Sequence, residues 1–354
     1  MIIKKSKNKL FILALSSILI ILSILSIGNG PVSISFSQMV DILLYKMGFI
    51  NDNSSFTNIH ESVFLDIRIP RILLGIIVGI GLASSGAILQ GLFRNPLVDP
   101  GFIGVSSGAA VGAMVAIMFS SLISGYFFES LIPFMLPILA MIGAFLTTIM
   151  VYKISKVYNK TNIMAMLLSG IAINALAGSI IGLFVSMSSD SELRSFTFWS
   201  LGGLDNADWQ VVGISYAFIL ISFICIYKIK RKLDIFMLGD AEAHHLGVDV
   251  ENLKKIIILI ASIMVGISVC FCGMIGFVGL VTPHLVRLFI GPKHSYLIPA
   301  SALLGAILLV SSDLISKLVI APAQLPIGVV TSAIGAPFFI WLIFSQKRRL
   351  GYSD

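Results

Sequence analysis

Apolar runs of about 20 residues recur along the whole chain, and each can cross the roughly 30 Å hydrocarbon core of a bilayer as a helix. Only 12% of the 354 residues are charged, against about 25% in a soluble domain. The first run, Leu10 to Ile27, precedes no small-residue cleavage site, which favours a span over a signal peptide. The alternating pattern of an outer-membrane barrel is absent. The sequence therefore predicts an all-α polytopic membrane protein.

The apolar runs predict ten spans, and an even number places both termini on one side of the membrane. The spans cover approximately residues 9–27, 68–92, 100–122, 131–152, 162–186, 209–228, 256–273, 276–290, 296–316 and 326–344.

The basic residues orient these spans. Of 24 Lys and Arg residues, 19 lie on the side of the termini, in or beside segments 1–8, 93–99, 153–161, 229–255, 287–295 and 345–354. The positive-inside rule therefore predicts cytoplasmic termini in a bacterial inner membrane. The other side has five basic residues and ten acidic ones. The net charge of +7 reflects this bias rather than nucleic-acid binding.

A polar stretch between the second and third spans predicts a fixed cytoplasmic turn. It contains Arg94, Asn95, Pro96 and Pro100. Proline breaks a helix interior but suits a first helical turn, so the two prolines end one helix and begin the next. The Asn95 side chain is expected to pair with backbone groups freed at the helix end. The small residues that follow permit close helix packing.

The largest cytoplasmic loop, residues 229–255, predicts one short helix, Ala241 to Leu246, capped by Asp240 and ended by Gly247. This helix is suited to a groove on a soluble partner, and the alternative is an ordinary ordered loop. The adjacent His244 and His245 cannot act as an i, i+4 metal pair.

Other chemistries find little support in the sequence. The middles of the spans carry almost no ionisable residue, which argues against a transporter driven by an ion gradient. An intramembrane serine protease is the other alternative, because Gly104–Gly108 fits G-x-S-x-G and His284 lies in another span. No strand precedes Ser106, however, as a nucleophile elbow requires. His284 is interpreted first as a structural histidine, and second as a ligand or gating residue.

The remaining cysteine and tryptophan residues have packing or anchoring interpretations. Cys225, Cys270 and Cys272 lie in apolar runs without metal-ligand spacing. Trp199 and Trp209 flank a polar outer loop as interfacial anchors. No phosphate-binding loop G-x-x-x-x-G-K-[ST] occurs, so the chain is not expected to be an ATPase.

Six long segments carry a family resemblance, in family order. They are RIPR (68–71), ASSGAILQGLFRNPLVDPGFIGVSSGA (83–109), FWSLGGLDNADW (198–209), LGDAEAHHLGV (238–248), GMIGFVGLVTPHLVRLFIGPKHSYLIPASALLGA (273–306) and QLPIGVVTSAIGAPFFIWLI (324–343). Through them the chain resembles the FecCD family, the permease subunits of ABC importers for iron-siderophores, haem and vitamin B12.

The resemblance implies a homodimer of ten-helix subunits, each one domain over residues 1–354, with the fold of type II importers. Two cytoplasmic ATPase subunits would bind ATP-Mg, an extracytoplasmic binding protein would deliver the ligand, and this chain would bind no cofactor or metal itself. The cargo is expected to be an iron chelate, a siderophore or haem, with cobalamin as the alternative. The family's coupling helix matches Leu238, Gly239, Asp240, Ala241, Glu242, Ala243, Leu246 and Gly247.

The resemblance also assigns a translocation path and a docking pocket. Ser169, Asn174 and Gln324 are expected to line the path. Arg68, Arg71 and Lys317 are expected to receive acidic residues of the binding protein, and the alternative is that the arginines pair with local carboxylates such as Asp66. The chain departs from the family in having Gln324 where glutamate is common and Lys317 where arginine is frequent, so a carboxylate and a bidentate guanidinium are absent.

Overall fold

A computed structural model of the chain describes residues 2–50, 55–126, 128–321 and 323–349. Within them the helices are α1 (Ile2–Gly28), α2 (Phe36–Lys46), α3 (Asn58–Ser62), α4 (Ile69–Leu92), α5 (Val105–Met118), α6 (Ser120–Ser124), α7 (Met135–Ile154), α8 (Ile163–Met187), α9 (Asp190–Leu201), α10 (Trp209–Phe236), α11 (Asp240–His245), α12 (Val250–Cys272), α13 (Val278–Ile290), α14 (His294–Val319) and α15 (Ile327–Arg349). A π-helical segment, Val63–Arg68, leads into α4, and 3-10 turns cover Pro100–Ile103 and Glu129–Phe134. A hairpin pairs β1 (Lys156–Val157) with β2 (Lys160–Thr161).

The described residues contain seven helices long and apolar enough to cross a membrane and three shorter apolar ones. Helices satisfy their own backbone hydrogen bonds, which a spanning segment needs in hydrocarbon. Each predicted span corresponds to one of these ten helices. The all-α membrane fold is thereby confirmed, and the small hairpin is the part that the spans did not predict.

The predicted loop 229–255 is wrong in its bounds, because both flanking helices extend into it. Helix α10 continues to Phe236, since Leu233 and Phe236 are fully buried and hold its last turns against the bundle. Helix α12 already begins at Val250, because the Asp249 side chain accepts a hydrogen bond from the Asn252 backbone. The connection is therefore residues 237–249.

Helix α4 lies at the centre of the bundle. It packs against α10, α12, α13 and α14, and most of its residues are buried inside the chain. Two glycines allow this packing: a Cβ on Gly79 would collide with the backbone of α14 at Gly305, and one on Gly86 with the carbonyl of Gly279 in α13. Such small-residue contacts replace the hydrophobic drive that lipid cannot supply.

A second packed group places α5 against α7 and α8, and α12 contacts both groups. Helix α8 itself is mostly outward-facing, and its buried residues are Met166, Ser169, Gly170 and Ala177. The two ends of the bundle differ in charge. The basic end is defined here by residues 93–99, 155–162 and 237–249 together with the lysines and arginine of the helix ends that flank them (Lys153, Lys228, Lys230, Arg231, Lys232, Lys254 and Lys255), and the acidic end by residues 202–208, 320–321 and 323–326.

Candidate functional site

The connection at the basic end is built around α11 and two glycines. Gly239 is the N-cap with φ +132, and Gly247 follows the helix with φ +80. The Val248 amide donates to the Ala243 carbonyl (2.9 Å) and the Gly247 amide to that of His244 (3.0 Å), which is a Schellman motif. Gly247 thus ends the helix as predicted. The predicted cap is wrong: Asp240 is the first helical residue, and its side chain serves another purpose.

Helix α11 turns one face to the bundle and leaves the other free. Ala243 is fully buried, whereas Leu238 and Leu246 are 64% and 59% exposed on either side of the helix. Ala241 and Glu242 are also exposed. Two exposed leucines around one short helix outside the apolar spans are typical of a protein contact surface.

Asp240 joins α11 to two other elements. Its carboxylate accepts from Arg94 at 2.5 Å and from Lys254 of α12 at 2.8 Å. Partial burial alone would raise the pKa of Asp240, but hydrogen bonds from Lys254 and Arg94 outweigh it and lower that pKa below its ordinary value. The carboxylate is therefore ionised at neutral pH, and its stabilising contribution is lost only as pH falls through the lowered pKa.

The same contacts continue to the hairpin. Lys254, with a side chain only 4% exposed, donates to Glu251 at 3.1 Å and to the Thr161 carbonyl at 3.0 Å. Glu251 in turn accepts from the Thr161 amide at 2.8 Å. Arg94, Asp240, Glu251 and Lys254 are called the inner cluster below. It ties α11 to the 93–99 turn, to α12 and to the hairpin.

The predicted turn lies against this cluster. Arg94 has a left-handed backbone (φ 49), and its guanidinium donates to the Phe236 carbonyl and stacks on that ring, 4.3 Å from the centroid. Asn95 accepts from the Leu97 amide (3.0 Å) within the turn itself, and its expected pairing with groups freed at the end of α4 stays a prediction. Asp99 caps the 3-10 turn that Pro100 begins, through the Gly101 amide.

The acidic end holds a second cluster, centred on Arg71. The Arg71 guanidinium donates to Asp313 (2.8 Å), to Asp205 (2.8 Å) and to the Gln324 amide oxygen (2.9 Å). Lys317 donates to the other oxygen of Asp313 at 2.5 Å. These five residues are called the outer cluster. Arg71 and Asp313 are buried within it and the Lys317 side chain is 10% exposed, whereas Asp205, at 69% exposure, and Gln324 reach solvent.

Arg68 is also engaged inside the chain. It is 6% exposed, and its guanidinium donates to the carbonyls of Ile27 and Val32. The alternative, that the arginines pair with local carboxylates such as Asp66, is wrong in its partners, because Arg68 binds backbone carbonyls and Arg71 binds the distant Asp313 and Asp205. The docking role of Arg68, Arg71 and Lys317 remains a prediction. Each of these cations already has a partner within the chain, so an acidic residue of the binding protein would have to compete with that partner.

Two residues expected on the path are used in helix packing. Ser169 is buried and donates to the Met166 carbonyl at 3.0 Å. Asn174 donates to the Gly101 carbonyl (3.1 Å) and accepts from Ser107 (2.6 Å). Gln324 is far along the chain, beside Arg71 and a cavity that Trp199 and Phe271 also line. The structure does not bring the three residues together in one surface, and their role in a path remains a prediction.

The structure gives no support to the other chemistries, a serine protease, a cysteine site or a metal site. Among the described residues, no hydrogen bond joins Ser106 to His284, whose ring lies against the Pro96 carbonyl. Cys270 and Cys272 are buried free thiols and Cys225 is an exposed one. The part of the chain that the structure describes holds no group of three His, Cys, Asp or Glu side chains able to bind a metal.

Sequence reasoning missed the acceptors of both clusters. Asp313 stands four residues before Lys317 in an apolar span, a spacing at which helical side chains pair. Glu251 and Lys254 have the analogous spacing of three. Those signals were present, whereas the contacts of Arg71 with Asp205 and Asp313 join residues more than a hundred positions apart and had no local signal.

The ten apolar helices of the described residues form a bundle that can cross a membrane, with ion pairs at its two ends. The FecCD transport family matches residues 18–345, and the chain belongs to this family as an ABC-transporter permease. It is 39% identical to the hemin transport system permease HmuU of Yersinia pestis, over 95% of this chain and 97% of that protein.

Other relatives are named for different cargoes. The chain is 38% identical to the cobalamin import permease BtuC of Halobacterium salinarum, over 80% of this chain and 73% of that protein. It is 35% identical to the Fe(3+)-citrate import permease YfmE of Bacillus subtilis, over 98% of each. A solved metal-chelate type ABC transporter in an inward-facing conformation superposes with TM-score 0.81 at 30% identity, over 94% of this chain and 98% of that one.

Proposed function

We propose that this chain is the permease subunit of an ATP-driven importer that carries an iron chelate, a siderophore or haem, into the cytoplasm. The observation that carries this proposal is the exposed leucine pair around α11, Leu238 and Leu246, on a helix fixed to the bundle. Similarity to HmuU over nearly the full length of both chains supports haem, and similarity to YfmE supports an iron chelate.

The assembly we propose has two copies of this chain, two ATPase subunits and one extracytoplasmic binding protein. The second copy would cover the outward face of α8, which this chain leaves unburied. The basic end would face the cytoplasm, as the positive-inside rule requires. ATP-Mg would bind to the ATPase subunits, and this chain would contribute no hydrolytic group and no cofactor.

The mechanism is alternating access driven through α11. Movement of the ATPase would displace α11, and the ion pairs of Asp240 would pass that movement to the 93–99 turn and to α12. The binding protein would dock at the acidic end near Arg68, Arg71 and Lys317. The exposed members of the outer cluster, Asp205 and Gln324, would lie at this docking face, where rim charges chiefly steer encounter and fix register.

The test is reconstitution of the importer in vesicles with a Leu246→Asp subunit. A charge in the apolar contact should reduce ATP-dependent uptake by about tenfold or more, while the subunit still inserts and melts like the wild type, because Leu246 is 59% exposed. Ala243→Trp is the contrasting variant: Ala243 is fully buried, so overpacking should lower folding itself. Wild-type uptake by Leu246→Asp would contradict the coupling role of α11.

The cargo needs its own experiment, since cobalamin is the second candidate on the similarity to BtuC. Growth of a deletion strain complemented with this chain on haem, on single siderophores, or under a strict cobalamin requirement separates the three classes. Complementation confined to cobalamin would reject the iron-chelate proposal and leave the importer intact.

A further inference from the structure

A half-open groove of about 540 Å³ lies beside α11 and has walls from three elements. The hairpin contributes Lys160; α11 contributes Asp240, Ala241 and His244; and the start of α12 contributes Asp249, Val250 and Glu251. Three carboxylates and one ammonium group line it, and two of the carboxylates already pair with cations outside the lining, Arg94 and Lys254, which leaves Asp249 as the carboxylate open to a further cation. A cationic group is the natural complement to such a lining.

One of these carboxylates is free to meet a cation. Asp240 and Glu251 already pair with Arg94 and Lys254. Asp249 accepts only the Asn252 amide that caps α12 (3.1 Å), and no ion pair neutralises it within the described residues. It is exposed at the rim of the groove.

The hairpin that forms one wall is held in place and carries an exposed aromatic tip. Tyr158 and Asn159 both have positive φ, 49 and 60, as the central pair of a two-residue hairpin turn requires. Thr161, at the base, is bonded to Glu251 and Lys254. Tyr158 is 97% exposed, and tyrosine on a rigid support is a common anchor of protein interfaces.

We propose that the hairpin Lys156–Thr161 and this groove form a second docking element for the ATPase subunit. Tyr158 packs on the partner, and a Lys or Arg side chain of the partner enters the groove towards Asp249. The inference rests on the proposed function, because it extends the α11 contact to an adjoining surface.

The experiment uses two substitutions with matched controls at the acidic end. Asp249→Asn removes the charge and keeps an oxygen that can cap α12; Asp208→Asn makes the same change at the cap of α10, where Asp208 accepts from Val211 at 2.7 Å. Tyr158→Ala removes the exposed ring; Tyr126→Ala removes one that is 86% exposed after α6. The probe is the ATPase that co-purifies with the tagged full-length chain, identified by sequencing and ATP hydrolysis and then purified alone.

Binding of that ATPase is measured to each full-length variant in nanodiscs at two salt concentrations. We expect the dissociation constant to rise about tenfold for Tyr158→Ala, and several-fold for Asp249→Asn with a weaker salt dependence, since a screened ion pair is lost. The controls should match the wild type. The same losses should occur with zwitterionic and with anionic lipids.

Three outcomes would overturn the inference. Wild-type binding by both Tyr158→Ala and Asp249→Asn, alongside lost binding by Leu246→Asp, would leave α11 as the docking element and reject the hairpin. An effect present only with anionic lipid would assign the surface to the membrane instead. If no ATPase co-purifies with the wild-type chain, the proposed function itself fails, and this inference with it.

Discussion

The inner and outer clusters share one plan: an arginine and a lysine bind the two oxygens of one aspartate. In the inner cluster Arg94 and Lys254 share Asp240, and in the outer cluster Arg71 and Lys317 share Asp313. They differ in which charge is buried. The Asp240 side chain is 46% exposed, whereas that of Asp313 is 2% exposed.

This difference decides what each cluster can do. Removing one partner of a buried pair leaves an uncompensated charge and is strongly destabilising, whereas a half-exposed carboxylate can be hydrated when its partner leaves. The outer cluster therefore holds the ends of α4 and α14 together permanently. The inner cluster can loosen at the half-exposed Asp240, because Glu251 and the Thr161 carbonyl still hold the buried Lys254 ammonium group. This suits the place where α11 would transmit movement.

The largest effect is expected from Asp313→Ala. It removes the anion shared by Arg71 and Lys317 and leaves two buried cations facing each other, at a cost of about 3–5 kcal/mol. We expect most of the protein to be lost, as measured by the yield of monodisperse protein in detergent and its melting temperature. Asp313→Asn combined with Lys317→Met should recover part of the yield, because Arg71 keeps Asp205 and Gln324. A normal yield of Asp313→Ala would show that the outer cluster is not structural.

A smaller effect on folding but a clear effect on transport is expected from Lys254→Met. The exposed sides of Asp240 and Glu251 can take up water, so the loss of stability should be about 1–2 kcal/mol. Uptake per folded transporter should fall several-fold, because α11 loses its tie to α12 and to the hairpin. Exposed Lys255, the next residue, provides the control Lys255→Met. Equal uptake by the two variants would remove the inner cluster from the coupling route.

The smallest effect on stability is expected from Gln324→Glu, which restores the residue common in the family. The new carboxylate would still accept a hydrogen bond from Arg71, which now lies 2.9 Å from the Gln324 amide oxygen. The free energy of unfolding should therefore change by less than about 1 kcal/mol. Binding-protein association should change in rate and salt dependence, since the charge at the docking face changes. Gln210→Glu, on the same face beside Trp209, is a comparison variant. Identical association for Gln324→Glu and wild type would place docking away from the outer cluster.

The sequence alone was sufficient for the helical architecture, because hydropathy, proline and glycine positions and charge bias act locally. Gly247 ended α11 as expected, since a left-handed backbone there requires glycine. The ends of α10 and α12 were misplaced because lysines at 228–232 resemble a loop, yet Leu233 and Phe236 keep the helix packed.

The clusters were beyond sequence reasoning because they depend on contacts between distant segments. Arg68 and Arg71 were recognised as important cations, but their acceptors lie at the end of α1, in the α1–α2 connection, in the 202–208 segment and in α14. Ser169 and Asn174 were placed on the right helix, but only packing shows that their polar atoms bond to neighbouring backbone. A polar side chain that would bind a ligand when exposed bonds to the protein itself when buried, and only the tertiary fold decides which of the two applies.

The glycine contacts of α4 have a mechanical consequence. Sliding α4 by one residue along α14 or α13 would drive a side chain into the backbone that now passes at Gly305 or Gly279. These three helices therefore form a rigid core of the subunit. Helix α8 is held in the same way only at Gly170, where a Cβ would collide with the Phe102 carbonyl, because its Gly178 and Gly182 have no neighbour within 4 Å. Alanine, the usual neutral substitution, is disruptive at Gly79 and Gly86. A transport defect in such a variant would therefore report damaged helix packing rather than the loss of a gating residue.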